Sequence, residues 1–199
     1  MKILFLQLWY DLYGGLEAVN DTLAKQFTMD GYETTILCLW KKGKGEYIPA
    51  KTYQKKWIGD EPIRASYKQL IRDLLHLHFK VVYNGIKKSL KCYRLKRQHK
   101  KVFKEEIIKN NPDFIIVSNP DLIELVPKHM LSKTVIHMHS GLKFYYDNIK
   151  TTKLIQKYND KVNKIIFLSP KSMEAAKQLG LTNSTYMYNP VKIKTLDKS

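Results

Sequence analysis

The sequence predicts an open parallel α/β sheet of the Rossmann-like kind, with helices on both faces and a long basic helical insertion. Three observations predict it. Short apolar runs of strand length alternate with segments whose apolar residues recur at helical spacing. Those runs carry few polar breaks, as strands buried on both faces do. Gly and Pro stand at the joints where strands pass into helices and back.

Lys2 to Tyr10 is the first such run, followed by a loop holding Gly14 and Gly15. Leu16, Val19, Leu23 and Phe27 then recur at helical spacing, with Gly31 at the expected C-cap and a β-rich run from Thr34 to Trp40. These forty residues predict one βαβ unit with a right-handed crossover. The sheet resumes at Asp113–Ser118 (DFIIVS). A short helix over Leu122–His129, a strand over Thr134–His139, a helix over Leu154–Asn163 and a strand over Lys164–Ser169 are expected next. Pro170 suits the first turn of a helix to Gln178 that Gly180 stops, and Thr185–Tyr188 is a last short strand. Between the two sheet segments, Lys41 to about Pro62 reads as a polar loop. Arg64 to Asn111 reads as long helix, in one piece or in two joined near Asn84-Gly85.

The charge is unusual. Thirty-five Lys and Arg against eighteen Asp and Glu give a formal net charge of +17, a field that calls for a polyanionic partner: nucleic acid, an anionic membrane or a phosphorylated substrate. Arg64–Asn111 holds fourteen of the cations against three acids. The two cysteines, Cys38 and Cys92, form no paired framework and no metal-type spacing, so a reducing compartment is expected. The first apolar run is broken by Gln7 and meets Asp11 without a small-residue cleavage site, so it reads as a strand and not as a signal peptide. No uninterrupted apolar run approaches the roughly 20 residues that cross a bilayer.

In an open α/β sheet, ligands lie beyond the carboxyl ends of the strands, where strand order reverses. Gly14 and Gly15 would let backbone approach a ligand there, and the helix behind them offers unpaired N–H groups to a phosphate; a plain strand-to-helix turn explains the same glycines equally well. The loop lacks G-x-G-x-x-G spacing, and no G-x-x-x-x-G-K follows, so nicotinamide and nucleoside-triphosphatase readings fail.

Gly14-Gly15-Leu16-Glu17 and then Gly31-Tyr32-Glu33-Thr34-Thr35-Ile36-Leu37 resemble the opening of the family 4 retaining glycosyltransferases of GT-B fold. Pro112-Asp113-Phe114-Ile115-Ile116, Val135-Ile136-His137-Met138-His139-Ser140-Gly141, Ile165-Ile166-Phe167-Leu168-Ser169 and Tyr188-Asn189-Pro190-Val191 resemble later motifs of that family, in order and across nearly the whole chain. The resemblance implies an acceptor-binding N-terminal domain over residues 1–188 and an interdomain hinge at 189–199. The nucleotide-binding C-terminal domain would then be supplied from outside these residues. It also implies a nucleotide-sugar donor, a glycan or lipid-linked sugar acceptor, no cofactor and no metal.

His139 is the expected catalytic residue, at the carboxyl end of a core strand; in the family the matching His contacts the donor sugar. A histidine capping a strand end is the alternative. His137 shares its strand face and is expected beneath it, since a His-x-His without a third ligand does not make a zinc site. Gly14 and Gly15 are the donor-side positions. Asn119 and Ser169 end strands at the same rim and are candidate acceptor contacts, with helix-cap or turn roles as alternatives. Glu17 is expected to brace the loop or meet a sugar hydroxyl. The resemblance implies front-face retaining transfer, in which positioning and electrostatics do most of the protein's work.

The basic stretch, with Lys87, Lys88, Lys91, Arg94 and Arg97 beside an apolar stripe including Tyr67, Leu70, Ile71, Leu74, Leu75, Phe79 and Val82, predicts attachment to anionic lipid on the cytoplasmic face of a membrane. Packing of the stripe on the sheet is the alternative. Two rival functions stay open: a basic nucleic-acid-binding α/β domain, disfavoured because no reading motif is present, and a non-catalytic partner subunit of a split transferase.

Overall fold

The computed structural model describes residues 1–10, 14–41, 52–63, 65–139 and 149–190. In strand β1 (Lys2–Trp9) the alternation of side chains sends Leu4 and Leu6 to one face and Ile3 and Phe5 to the other. Each pair joins a different buried cluster, so both faces of the sheet are covered. Helix α1 (Gly15–Met29) covers the second face with Leu23, Ala24 and Phe27. It stops where Gly31 takes φ +87° and the Tyr32 N–H donates to the Phe27 carbonyl at 2.9 Å, a left-handed turn that glycine enters without strain. Strand β2 (Glu33–Lys41) then pairs parallel with β1, as the βαβ pattern predicts.

A further strand follows where the sequence suggests a loop. Strand β3 (Gln54–Asp60, QKKWIGD) pairs parallel with β2 along the outer edge. Only one face of this edge strand is well covered, so it carries Lys55 and Lys56 and lacks the apolar run that marks the central strands.

The basic segment forms two helices, α2 (Tyr67–Leu75) and α3 (Phe79–Asn110), joined at His76–His78 with Leu77 at φ +59°. The break is therefore not at Asn84-Gly85. Gly85 lies inside α3, where the absence of a side chain lets Leu70 of α2 press against the helix. Helix α3 spans 32 residues, about 48 Å at 1.5 Å per residue. Its C-terminal half buries Phe103 and Ile107 in the first cluster; removing two such side chains from water contributes roughly 2–3 kcal/mol each. Moving back along α3, the His99 ring lies against Gly59 of β3, and Cys92 Sγ donates to the Pro62 carbonyl at 3.2 Å, just past the end of that strand. Helix α3 thus runs antiparallel to the strands, and residues 79–91 extend about 20 Å beyond the carboxyl edge of the sheet.

Strand β4 (Phe114–Val117) returns to the centre beside β1. The helix expected over Leu122–His129 is replaced by two 3₁₀ segments, Pro120–Leu125 and Lys128–Lys133. Pro127 is the reason: it lacks an N–H and holds Val126 in extended backbone (ψ 128°), which no helix passes through. Strand β5 (Thr134–His137), helix α4 (Ile149–Tyr158), strand β6 (Lys164–Phe167), helix α5 (Pro170–Gln178) and strand β7 (Ser184–Tyr186) complete the described chain. Strand order is β3-β2-β1-β4-β5-β6-β7, with every described pair parallel. The predicted open parallel sheet is what the chain forms.

Candidate functional site

Strand order reverses between β1 and β4. The crevice of an open sheet therefore opens above their carboxyl ends. Three loops meet this rim. The one after β1 leads through Gly14 into α1; those after β4 and β5 carry Ser118-Asn119 and Met138-His139. Gly14 and Gly15 thus follow β1 and His139 follows β5, strands that β4 alone separates, about 10 Å by strand spacing.

The start of α1 is built by Glu17. The Gly14 N–H donates to Glu17 Oε2 at 3.1 Å, and the carboxylate is mostly buried. Of the two roles expected for Glu17, bracing the loop is the one seen; a carboxylate here also suits the helix dipole. Gly14 has ordinary extended backbone (φ −124°, ψ −178°), yet a Cβ would fall 2.8 Å from Glu17 Oε2. At Gly15 a Cβ would meet nothing within 4 Å. The first glycine makes room for the brace, and the second leaves the helix end open above the crevice.

His137 ends β5 and is 1% exposed; His139 follows it with ring centroids 4.1 Å apart. Packing of His137 beneath His139 is as expected. His137 Nε2 and both ring nitrogens of His139 are out of solvent contact and lack hydrogen-bond partners among the described residues. Burial pushes the His137 imidazole down to about 4, and burial with the neighbouring ring pushes His139 down to about 3. Near neutral pH both rings are uncharged, each with one donor and one acceptor nitrogen. Such a ring can take a hydroxyl or carbonyl but supplies no cation for a phosphate. Among the described residues no group of three or more His, Cys, Asp or Glu is gathered to hold a metal.

Asn119 and Ser169 reach the rim but are engaged locally. Asn119 Oδ1 accepts the Leu8 N–H at 2.7 Å, clipping β4 to β1. Ser169 caps α5, its Oγ accepting the Ser172 N–H at 3.2 Å. The cap alternative describes Ser169, whereas Asn119 makes no side-chain cap and bridges two strands instead.

Directly under the rim lies a buried chain of polar groups that sequence reasoning missed. Asn20 Nδ2 donates to Gln7 Oε1 at 2.9 Å, Ser118 Oγ donates to Asn20 Oδ1 at 2.9 Å, and Gln7 Nε2 donates to the Trp9 carbonyl at 2.7 Å. Gln7, Asn20 and Ser118 are all buried, so this chain ties β1, α1 and β4 together at the reversal point. The signal available was a glutamine inside an otherwise apolar strand, which its partners alone explain. Nearby, the fully buried Lys55 ammonium pairs with Asp21 at 3.3 Å, and burial pushes the Cys38 thiol up to about 12, so it is no nucleophile.

The apolar stripe of the basic segment does not pack on the sheet. Leu75, Leu77 and Phe79 are 77%, 70% and 63% exposed, and Tyr67, Ile71, Leu74, Val81, Tyr83, Ile86, Leu90 and Tyr93 are exposed too. Lys87, Lys88, Lys91, Arg94 and Arg97 stand exposed among them. Asp73, the one acid among residues 67–97 against nine Lys or Arg, is turned inward onto Gln69 Nε2 (2.9 Å). Trp57 is exposed as well, lying against Tyr10 at 4.6 Å. No helix among the described residues is long and apolar enough to cross a membrane.

No family model and no curated protein matches the sequence. Solved structures do match its fold. Anabaena HepE, in complex with UDP and glucose, superposes with a TM-score of 0.60 at 15% identity over 96% of this chain and 45% of its own. The HepE complex with UDP alone gives 0.61 at 14% identity over 96% and 44%. The apo lipopolysaccharide outer core galactosyltransferase WaaB gives 0.60 at 18% identity, over 98% of this chain and 47% of its own. The chain thus spans a little under half the length of these structures, and its Rossmann-like sheet has the GT-B domain fold.

Proposed function

We propose that this chain is the N-terminal, acceptor-binding half of a retaining, family 4-type glycosyltransferase. It would move a sugar from a nucleotide diphosphate donor to a glycan or lipid-linked acceptor, at the cytoplasmic face of a membrane. The observation that carries the proposal is the β1/β4 reversal: α1 begins after β1 with open space at Gly15, and His139 follows β5 with both ring nitrogens lacking partners among the described residues. The fold likeness to structures that hold UDP and glucose supports it.

In this reading the nucleotide is held chiefly by the second domain, and the N–H groups beginning α1 meet the donor's diphosphate as charge develops on it. His139 accepts or donates a hydrogen bond to the donor sugar near the reacting carbon. The leaving diphosphate, not a protein carboxylate, takes the acceptor's proton, since Glu17 is already committed to the Gly14 N–H. Positioning and preorganised dipoles supply the rate. Donor and acceptor are substrates, and the chemistry as proposed needs no metal.

The membrane reading rests on apolar side chains that stand out of the fold among the cations. Phosphate neutralisation alone would not call for exposed Leu74, Leu75, Leu77 and Phe79, so an interface of headgroups and acyl chains fits better than nucleic acid. The test is transfer of labelled sugar from a panel of nucleotide sugars to membrane lipid extract, by the protein containing this chain. His139→Ala should cost about a hundredfold or more in rate. Undiminished transfer by that variant would remove His139 from the mechanism; no transfer from any donor would end the proposal.

A further inference from the structure

A basic concavity lies outside both the crevice and the helical arm. Its volume is about 700 Å³, within the roughly 300–1,000 Å³ typical of small-ligand sites. The 3₁₀ segment before β5 lends it Lys128, His129 and Ser132, and the end of α4 with the turn after it lends Lys157, Tyr158 and Lys161. None of its described lining residues is acidic. The Lys157 and Lys161 ammonium groups lie 5.3 and 5.6 Å from the centroid of the same Tyr158 ring, which holds two like charges beside one another. Glu124 pairs with Lys157 at 3.7 Å, but both side chains are more than half exposed, and such a pair contributes little in water. Lys128 and Lys161 have no ion-pair partner among the described residues. Asp160, the one acid against five Lys in residues 149–164, accepts from Asn159 Nδ2 at 2.6 Å and does not line the pocket.

We infer that this concavity binds a small soluble anion carrying two or more phosphate groups, at the end of the sheet opposite the crevice. Ser132 comes just before β5 and Lys161 just before β6, so the pocket stands by the amino ends of these strands, whereas the crevice opens at carboxyl ends. The negative end of the α4 dipole would by itself draw Lys157 and Lys161. It does not account for Lys128 and His129, which another segment brings to the same hollow. Cations converging on a concave surface whose Leu131 and Tyr158 walls exclude water focus positive potential there. Lysine meets phosphate as a point charge, so several ammonium groups suit several phosphates. A lipid headgroup is the poorer occupant: residues 79–91 of α3 project past the carboxyl edge, and a bilayer gripped by them lies away from this pocket. A nucleic-acid strand calls for a groove that tracks its backbone, and here the cations gather at one place. The inference concerns a different end of the sheet from the transferase reading and stands apart from it.

The test is calorimetry on the protein containing this chain, titrated with inorganic phosphate, diphosphate and tripolyphosphate. Tripolyphosphate should bind at least about tenfold more tightly than phosphate, and more weakly as salt rises. Lys128→Gln with Lys161→Gln removes two exposed cations of the pocket and should weaken tripolyphosphate about tenfold. Lys25→Gln with Lys100→Gln removes the same charge from exposed positions on α1 and α3, and should change binding by less than about twofold. Ser132→Trp, which adds bulk at an exposed position of the lining, should weaken tripolyphosphate while leaving the net charge as it was. Equal losses in the two lysine pairs would mean diffuse attraction to a basic surface and would overturn the inference. Unchanged binding by Lys128→Gln with Lys161→Gln would overturn it as well. Sedimentation with anionic liposomes separates the two sources of phosphate. A loss on Lys128→Gln with Lys161→Gln beyond that of the other pair would make this a lipid contact and overturn the soluble occupant; equal sedimentation by the two pairs supports it.

Discussion

Acidification should destabilise this domain through two residues, His137 and His139. An unfolded histidine takes up its proton near pH 6.5, whereas the buried pair does so only at about 4 and about 3. Between those values the unfolded chain binds more protons than the folded one, so stability rises with pH and is lost as pH falls below 6.5. At pH 5 the difference amounts to roughly 2 kcal/mol for His137, and no more than that for the less buried His139, together roughly 4 kcal/mol. That is a large part of the 5–15 kcal/mol typical of a domain. Urea unfolding followed by fluorescence of Trp9, Trp40 and Trp57 at pH 7.5, 6 and 5 measures it. His137→Gln with His139→Gln should flatten the pH dependence by about that amount relative to the parent. Identical pH slopes in parent and double variant would refute the reasoning. So would imidazole titration near 6.5 by NMR, a readout that does not depend on how well the variant folds.

Other outcomes follow from the rim and the helical arm. Gly14→Ala should destabilise by about 1 kcal/mol, because its Cβ displaces the Glu17 carboxylate from the Gly14 N–H. Gly15→Ala, whose Cβ meets nothing, should stabilise by about 0.5–1 kcal/mol as helix propensity improves, while weakening donor binding; urea unfolding and donor titration check both. Asn20→Ala leaves Gln7 Oε1 and the Ser118 hydroxyl without their buried partner and should cost about 2–3 kcal/mol by the same unfolding assay. Replacing Lys87, Lys88 and Lys91 by Glu should reduce sedimentation with anionic liposomes by more than about tenfold at low salt, and the parent's own binding should weaken as salt rises.

The central strands were legible because burial on both faces leaves a plain mark: Ile3 to Leu6, Ile115 to Val117 and Val135 to Ile136 have almost no polar interruption. Strand β3 was not, since its order comes from pairing with β2 and not from its own composition. Gly85 pointed to a hinge, and its use as a flat surface for Leu70 could be seen only once α2 was in place. The site divided in the same way. His139 could be located because a strand end is a local feature. The polar chain through Gln7, Asn20 and Ser118 joins residues up to 98 positions apart, as Ser118 to Asn20, and only the closed sheet brings them together.

Because one unbroken helix carries both the core residues Phe103 and Ile107 and the exposed Phe79 end, α3 acts as a spacer of set length. The height of the crevice over any surface that grips Phe79 to Lys91 is counted in residues, about 1.5 Å for each. Four residues added near Lys88 would lift the crevice by about 6 Å and leave the cationic side facing nearly as before. A single added residue would swing that side through about 100° and turn it away from the surface. Reach and aim are thus written into the same stretch of backbone and can be altered separately.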